Sequence, residues 1–461
     1  MSLQPASFTA RFYELNGRLA AEQTCPSQAC PGLAPFAGVT LSSDDVPGLP
    51  GGFLGSIVVA SDQPVAVLQG NDVERDGRFQ SSADTMVAEA SSGDRYLPVT
   101  AVHDGPARNW NGRFFIQNLS DVVTACVTLV YSSAASDAPV LYEPYNPAAP
   151  PASRLPQCPN GGLPVPTGDS IYRQVDTMGV AEPFTGSVRV LTHTNAQGVS
   201  PAWQTTLISG GMWNESAMDF GTYRAFTEAE LGTTMLLPLL ERQAGGQWNT
   251  DFAIQNRDPS QPAQVTLRIT GTAGGATVTK QHTFTVRASK LCFQDVPGAD
   301  CLAPGDDLPA GFANGRATIT SNRPVAVVVA RTSSRSESYA NYRGVATQVA
   351  SRGVFLPLVN KNSYGPERKG ANSWIRVQVA NGGTANLTIS YFGPGLPGGF
   401  VTSTARVTGA GNIVQAGEGV LPNGFTGSAV ITSDTPIAAV VNVQAGDFAG
   451  DVDFMYTGVP N

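Results

Sequence analysis

A phrase of about a dozen residues recurs along this chain, and it limits the fold more than any other feature. Gly52-Phe53-Leu54-Gly55-Ser56 leads to Ser61-Asp62-Gln63-Pro64-Val65-Ala66-Val67. Gly311-Phe312 leads to Ser321-Asn322-Arg323-Pro324-Val325-Ala326-Val327, and Gly424-Phe425-Thr426-Gly427-Ser428 leads to Ser433-Asp434-Thr435-Pro436-Ile437-Ala438-Ala439. From the Phe to the Pro is 11, 12 and 11 residues. A looser copy begins at Pro183-Phe184-Thr185-Gly186-Ser187. Self-similarity on this scale marks a tandem array of one structural unit.

A second phrase interleaves with the first. Leu97-Pro98 precedes Trp110 and Ile116-Gln117-Asn118; Leu237-Pro238 precedes Trp248 and Ile254-Gln255-Asn256; Leu356-Pro357 precedes Trp374 and Gln378-Val379-Ala380-Asn381. The spacing of the Leu-Pro marks, roughly 120–140 residues, is that of a domain and exceeds the roughly 20–50 residues of solenoid or propeller repeats.

Alternation shows what the unit is made of. Val265, Leu267 and Ile269 alternate with Gln264, Thr266 and Arg268, and 126–131 and 385–391 behave alike. A period of two rich in Val, Ile and Thr is that of a half-buried strand. Turn signals at Gly274-Gly275, Gly382-Gly383 and Asn423-Gly424 separate the runs. The best helical candidate is the short Phe226–Leu231. Many short strands per unit predict an all-β protein of antiparallel sandwiches, arranged as a linear array. The expected boundaries are 1–93, a partial first sandwich; 94–233, a second with a Pro-rich insertion; 234–352, a third; and 353–461, a fourth. In this scheme Pro64, Pro324 and Pro436 fix strand entry. The glycines before Phe53, Phe312 and Phe425 supply an unusual dihedral beside a core plug. Trp110, Trp248 and Trp374 are core anchors, and Asn118, Asn256 and Asn381 end strands by bonding to turn backbone.

Charged residues make up 14% of the 461, against about 25% in an average domain. The net charge of -8 is spread out with no basic stripe, which argues against nucleic acid. No apolar run reaches the roughly 18 residues of a membrane helix. Met1-Ser2-Leu3-Gln4-Pro5 lacks the pattern of an export signal, so a secreted form is expected to have had its signal removed or replaced. The six cysteines point to an oxidising compartment. Pairing within units gives Cys25–Cys30, Cys126–Cys158 and Cys292–Cys301, one of fifteen connectivities. Their spacings lack a zinc-knuckle pattern, and no histidine is near either loop pair.

The two phrases do not occur equally often. The Gly-Phe half appears four times and the Leu-Pro/Trp half three times, because the first unit lacks its opening strands. Three explanations stand open: the strands precede Met1 in a longer chain; the unit is smaller and capped by its Pro/Gly loop; or a neighbouring molecule supplies them by strand addition. The second unit carries the insertion Glu143–Thr167, rich in proline, and an extended tail, Val199–Glu230, in which Trp203 and Trp213 are candidate contact residues.

Catalytic patterns are not found. His103, His193 and His282 occupy unrelated repeat positions, and no nucleophile elbow, zinc-protease helix, P-loop or dinucleotide fingerprint occurs. The acidic loops Asp447-Asp451-Asp453 and Asp300-Asp306-Asp307 depart from a calcium loop. No catalytic, cofactor or metal residue is assigned, and no cofactor is expected.

With its Leu-Pro, Trp-Asn…Ile-Gln-Asn, Gly-Phe-x-Gly-Ser and Ser-Asp-x-Pro-Val-Ala-Val motifs, the chain resembles secreted bacterial cell-surface proteins built of tandem immunoglobulin-like sandwiches. That resemblance implies a non-enzymatic extracellular structural protein, a segment of a fibre or coat that self-associates through strand contacts. The alternatives are an adhesin or glycan-binding module and an accessory region of a secreted enzyme.

Overall fold

Alternation in the sequence becomes pleat. The computed structural model describes residues 4–461 apart from 28–29, 31, 76–77, 87–92, 103–109, 121, 135–138, 145–154, 181, 202–203, 205, 215–218, 295–300, 335–337, 364–369, 445–449 and 452. Val265, Leu267 and Ile269 are buried while Gln264 and Arg268 face water. Their strand, Ala263–Ala273, pairs with Ala276–Val286 on one side and Phe312–Ser333 on the other. Among the described residues, pairing is antiparallel except for one short parallel contact, and the helical pieces are three-residue 3-10 turns. The protein is all-β. Glu228–Glu230, within the helical candidate, is one of those turns.

The third unit shows the plan. Its Leu-Pro strand (Gly232–Arg242) and the hairpin 263–286 pair with the first half of the long strand Phe312–Ser333. Its Trp strand (Trp248–Asn256) and a return strand (Tyr339–Arg343) pair with the second half. The fourth unit repeats this with Ser351–Lys361, Asn372–Val379, Phe425–Gln444 and Phe454–Thr457. One strand therefore serves both layers. Pro324 and Pro436 lie inside these long strands, not at a strand entry as the sequence suggested, and each carbonyl accepts from a turn amide, Arg257 and Ala380. Phe312 and Phe425 are buried, and Gly52, Gly311 and Gly424 before the phenylalanines have φ of 71°, 75° and 84°.

In the second unit the long strand is split into Phe184–His193 and Thr206–Asn214, the latter pairing with Trp110–Asn118. The supposed tail 199–230 thus contains the second half of the unit's own central strand, Thr206–Asn214, and its return strand, Asp219–Arg224. Gln117, Gln255 and Gln378 are equivalent, lying opposite Leu207, Ala326 and Ala438. On that register Trp374 matches Asp251 and Val379 matches Asn256, so Trp374 and Asn381 are not the counterparts of Trp248 and Asn256. Asn118 and Asn256 do end their strands by donating to turn carbonyls, among them Val123 at 2.8 Å and Gln261 at 2.9 Å.

The first unit is a half. Its sheet has the order β2 (Leu19–Cys25), β1 (Phe8–Glu14), β3 (Gly55–Ser61); a separate hairpin joins β4 (Val67–Arg75) to β5 (Arg78–Met86). A small core of Ala10, Phe12, Ala21 and Val46 lies under Phe53 and the loop residues Leu41 and Leu49.

The units do not run end to end. The linear array expected from the sequence is replaced by a closed one. The second unit meets the third where the Trp110 ring packs on Tyr339 at 4.2 Å and Gln255 donates to the Val188 carbonyl at 3.1 Å. The third meets the fourth through Arg376 and Gln378. The fourth meets the first: Phe36 lies 5.2 Å from Phe392, Ser428 donates to the Phe36 carbonyl, and Thr85 donates to the Thr457 carbonyl at 3.0 Å. Asp84 of the first unit accepts from the amide of Arg224 of the second, completing the circuit. Cores are shared across the joints: Ala253 and Val328 pack with the second unit, and Val440 and Met455 with the third.

Candidate functional site

The Leu-Pro phrase has a partner that the sequence did not single out. Proline leaves the ladder at this point, and the pairing shifts register between Leu237 and Leu240 and between Leu356 and Val359. The residue after each proline then needs other partners for its backbone. A buried tyrosine on the return strand supplies them. The hydroxyl of Tyr223 accepts from the amide of Val99 at 3.2 Å and donates to its carbonyl at 2.7 Å. Tyr342 does the same at Leu239, and Tyr456 at Leu358. Burial pushes all three phenols above their ordinary range.

Among the described residues the first unit has no Leu-Pro strand, and the residue corresponding to the tyrosine is an aspartate. Tyr342 and Tyr456 lie opposite residues five beyond Pro324 and Pro436, namely Val329 and Val441. Five beyond Pro64 is Gln69, opposite Asp84. The carboxylate of Asp84 accepts from the amides of Arg224 and Thr85 instead. Sequence, local structure and assembly change together here: the clasp is absent where its strand is absent.

These return strands converge where the four units meet. Arg224 donates to Glu230 at 2.6 Å, and Arg343 donates to the same carboxylate oxygen. The 3-10 turn holds Glu230 in place through the Thr227 amide at 2.9 Å. Burial pushes Glu230 up, but Arg343 and Arg224 outweigh it and hold the carboxyl down at about 2. Burial raises Asp84, opposed chiefly by Arg343. Thr457 Oγ1 accepts from the Arg343 amide at 2.9 Å and donates to the Arg343 carbonyl at 3.0 Å. This is a buried knot of charge joining the units.

A further buried cation bolts the third unit to the fourth. Arg376 donates to the Pro238 carbonyl at 2.9 Å, the carbonyl freed by the proline bulge, and to the Gly315 carbonyl at 3.3 Å. Burial, with Arg316 nearby, pulls its pKa down to about 10. Arg331 pairs with Glu241 at 2.7 Å and lies over Trp248 at 3.5 Å and Trp374 at 5.5 Å. The tryptophans expected in the core are half-buried beside such joints.

The other sequence candidates are dispersed. Cys25–Cys30, Cys126–Cys158 and Cys292–Cys301 are disulfides with Cα–Cα distances of 5.2, 5.7 and 5.2 Å. Trp203, His103, Asp300 and Asp447 lie outside the described residues. Trp213 is half-buried on its own sheet, with the Arg113 guanidinium over its ring at 4.6 Å and Phe220 at 5.5 Å. His193 contacts the Thr128 hydroxyl at 2.9 Å, and His282 stacks on Phe284. Among the described residues, these candidates do not converge from one unit to another. A cleft between the second and third units is lined by Arg189, Arg257, Arg323 and Asp258. Two of these arginines are engaged, Arg189 with Asp94 and Arg257 with Glu228.

The open feature is the flank of the first unit. Ile57 lies opposite Phe12 on the core-facing side of β3. Its counterparts, two residues after the second Gly of each Gly-Phe phrase, are Val188, Ala317 and Ala429. They are 0%, 0% and 1% exposed, whereas Ile57 is 39% exposed. In the other units a Leu-Pro strand covers that position. Among the described residues β3 has no strand on that edge. Next to it, Leu54 is 54% exposed.

No family model matches the chain, and no curated protein is similar to it. Among the weakly similar solved structures are two single-substitution mutants of the major pilin from Streptococcus pyogenes. Identities are 9% and 8%; each match covers 75% of this chain and 96% of the pilin, with TM-scores of 0.14 and 0.12. Similarity at that level does not identify a shared function.

Proposed function

We propose that this chain is a non-enzymatic structural protein of the cell exterior, a subunit or segment of a surface fibre or coat that joins its neighbours through strand edges. The observation that carries this reading is the uncovered Ile57 on a strand whose outer edge is unpaired among the described residues, at a position buried in the three other units. Unpaired edges template further pairing, and proteins normally blunt them. Three disulfides favour an oxidising compartment. The shared cores support a body suited to transmitting force, because the units are joined by buried apolar and ionic contacts.

Negative-stain electron microscopy of the protein, concentrated under oxidising conditions, tests the reading. Regular fibres, sheets or rings of repeated particles are the expected result. Dispersed single particles at every concentration reject it, and retention on a column of surface polysaccharide would then favour an adhesin.

A further inference from the structure

The exposed edge has a symmetry of its own. Along β3, Gly55-Ser56-Ile57-Val58-Val59-Ala60-Ser61, no residue is charged. Several other outer edges carry charge: Ala276–Val286 has Lys280, Phe400–Thr408 has Arg406 and β2 has Glu22, whereas Ala410–Val414 is uncharged like β3. Charge on an edge strand is a common defence against self-pairing. Here that defence is missing on the strand that also leaves an apolar core residue open.

We propose that β3 pairs with β3 of a second copy, antiparallel about a two-fold axis through Val58. This rests on the assembling role proposed above and names its partner. In that register Val58 faces Val58 of the other copy, Ile57 faces Val59, Ser56 faces Ala60 and Gly55 faces Ser61. Residues opposite one another in an antiparallel pair share a face. Ile57 and Val59 both lie on the core side, opposite Phe12 and Ala10. The pairing therefore sets Ile57 of each copy on Val59 of the other and closes both open flanks at once. A charge at the axis would meet its own copy across the interface, and this strand carries none. The second copy replaces the covering strand without the Leu-Pro clasp, which the first unit cannot make because Asp84 stands in the tyrosine position. A two-fold contact closes on itself, so it makes a paired building block, and a fibre uses a second contact to propagate.

The test uses the full chain with its native disulfides. Val58 lies opposite Arg11 on the outer face, so Val58→Glu places a carboxylate beside that arginine in each copy and two like charges at the axis. Light scattering should show the mass of a dimer for the parent protein and of a monomer for V58E, with unchanged circular dichroism. Across a two-fold pair the Cα atoms at the axis lie about 4.5–5.5 Å apart, within the roughly 4.4–6.8 Å of a disulfide. Val58→Cys should accordingly cross-link to itself on mild oxidation, with the 58–58 peptide seen by mass spectrometry. A parent protein that is monomeric at every concentration, or a dimer that survives V58E and does not cross-link through position 58, overturns the proposal. Fibres that persist in V58E refute this pairing while leaving the fibre reading intact. Loss of all assembly in the parent protein refutes both.

Discussion

The hydroxyl of Tyr342 holds both backbone groups of Leu239, accepting from its amide at 3.2 Å and donating to its carbonyl at 2.6 Å. The same double bond recurs at Tyr223 with Val99 and at Tyr456 with Leu358. A proline that interrupts a ladder strands the next peptide group in the interior, and burying it unpaired is unfavourable. The clasp resolves that local problem and ties the return strand to the opposite layer.

Replacing Tyr342 with Phe keeps the ring and removes the clasp. Leaving a buried amide and carbonyl unpaired costs about 1–3 kcal/mol per group, so Tyr342→Phe should lower stability by about 2–6 kcal/mol. Urea unfolding followed by tryptophan fluorescence measures it.

Glu230 and Asp84 should give opposite pH dependences. The folded carboxyl of Glu230 sits at about 2, below its unfolded value. Its stabilisation is therefore present above the unfolded pKa of about 4.3 and is lost as pH falls toward 2. Asp84 is raised by burial, so its contribution is greatest below the unfolded value and fades as pH rises through the folded one. Glu230→Gln should be destabilising by about 3–5 kcal/mol at neutral pH, because two buried guanidinium groups lose their shared anion, and this deficit should shrink in acid. Asp84→Asn should gain on the parent protein as pH rises. Thermal melts of both variants from acid to neutral pH check the two signs.

The disulfides should rank by the loop they close. Cys126–Cys158 spans 32 residues and Cys25–Cys30 spans 5. Chain-entropy arguments give about 3–4 kcal/mol for the first and about 2 kcal/mol for the second. Serine pairs at each site, compared in denaturant, should reproduce that order.

Closure of the array should be visible in solution. Phe36 of the first unit packs between Phe355 at 6.4 Å and Phe392 at 5.2 Å of the fourth. Phe36→Ala together with Thr85→Val should loosen that joint and raise the radius of gyration measured by X-ray scattering. An unchanged scattering curve would mean that other contacts hold the ring shut.

Much of the unit was legible because its determinants are local. Gly311 and Gly424 flag a positive φ, Phe312 and Phe425 plug the core, and Asn256 caps a turn; each needs only its neighbours. The tyrosine clasp was written in the sequence too, as Tyr223-Arg-Ala, Tyr342-Arg-Gly and Tyr456-Thr-Gly. Its meaning, however, depends on strands 124, 103 and 98 residues away. Pro324 read as the start of a strand because nothing nearby shows that its carbonyl serves a turn amide while the strand runs on. Ring closure was illegible for the same reason. It rests on contacts such as Thr85 with Thr457, between residues far apart in the chain and of ordinary type. The open flank stood between: counting phrases exposed a missing strand, while the exchange of tyrosine for Asp84 appeared only once registers were known.

The sharing of core residues between neighbours has a consequence for how this protein comes apart. Ala253 and Val328 fill the interior of the preceding unit, and the Arg376 guanidinium is satisfied by carbonyls of another. A repeat cut out at its sequence boundary would leave with holes in its interior and a stranded cation. Melting should consequently spread through the whole circle as one transition, so that proteolytic nicking yields either the intact body or fragments, with few stable single modules between.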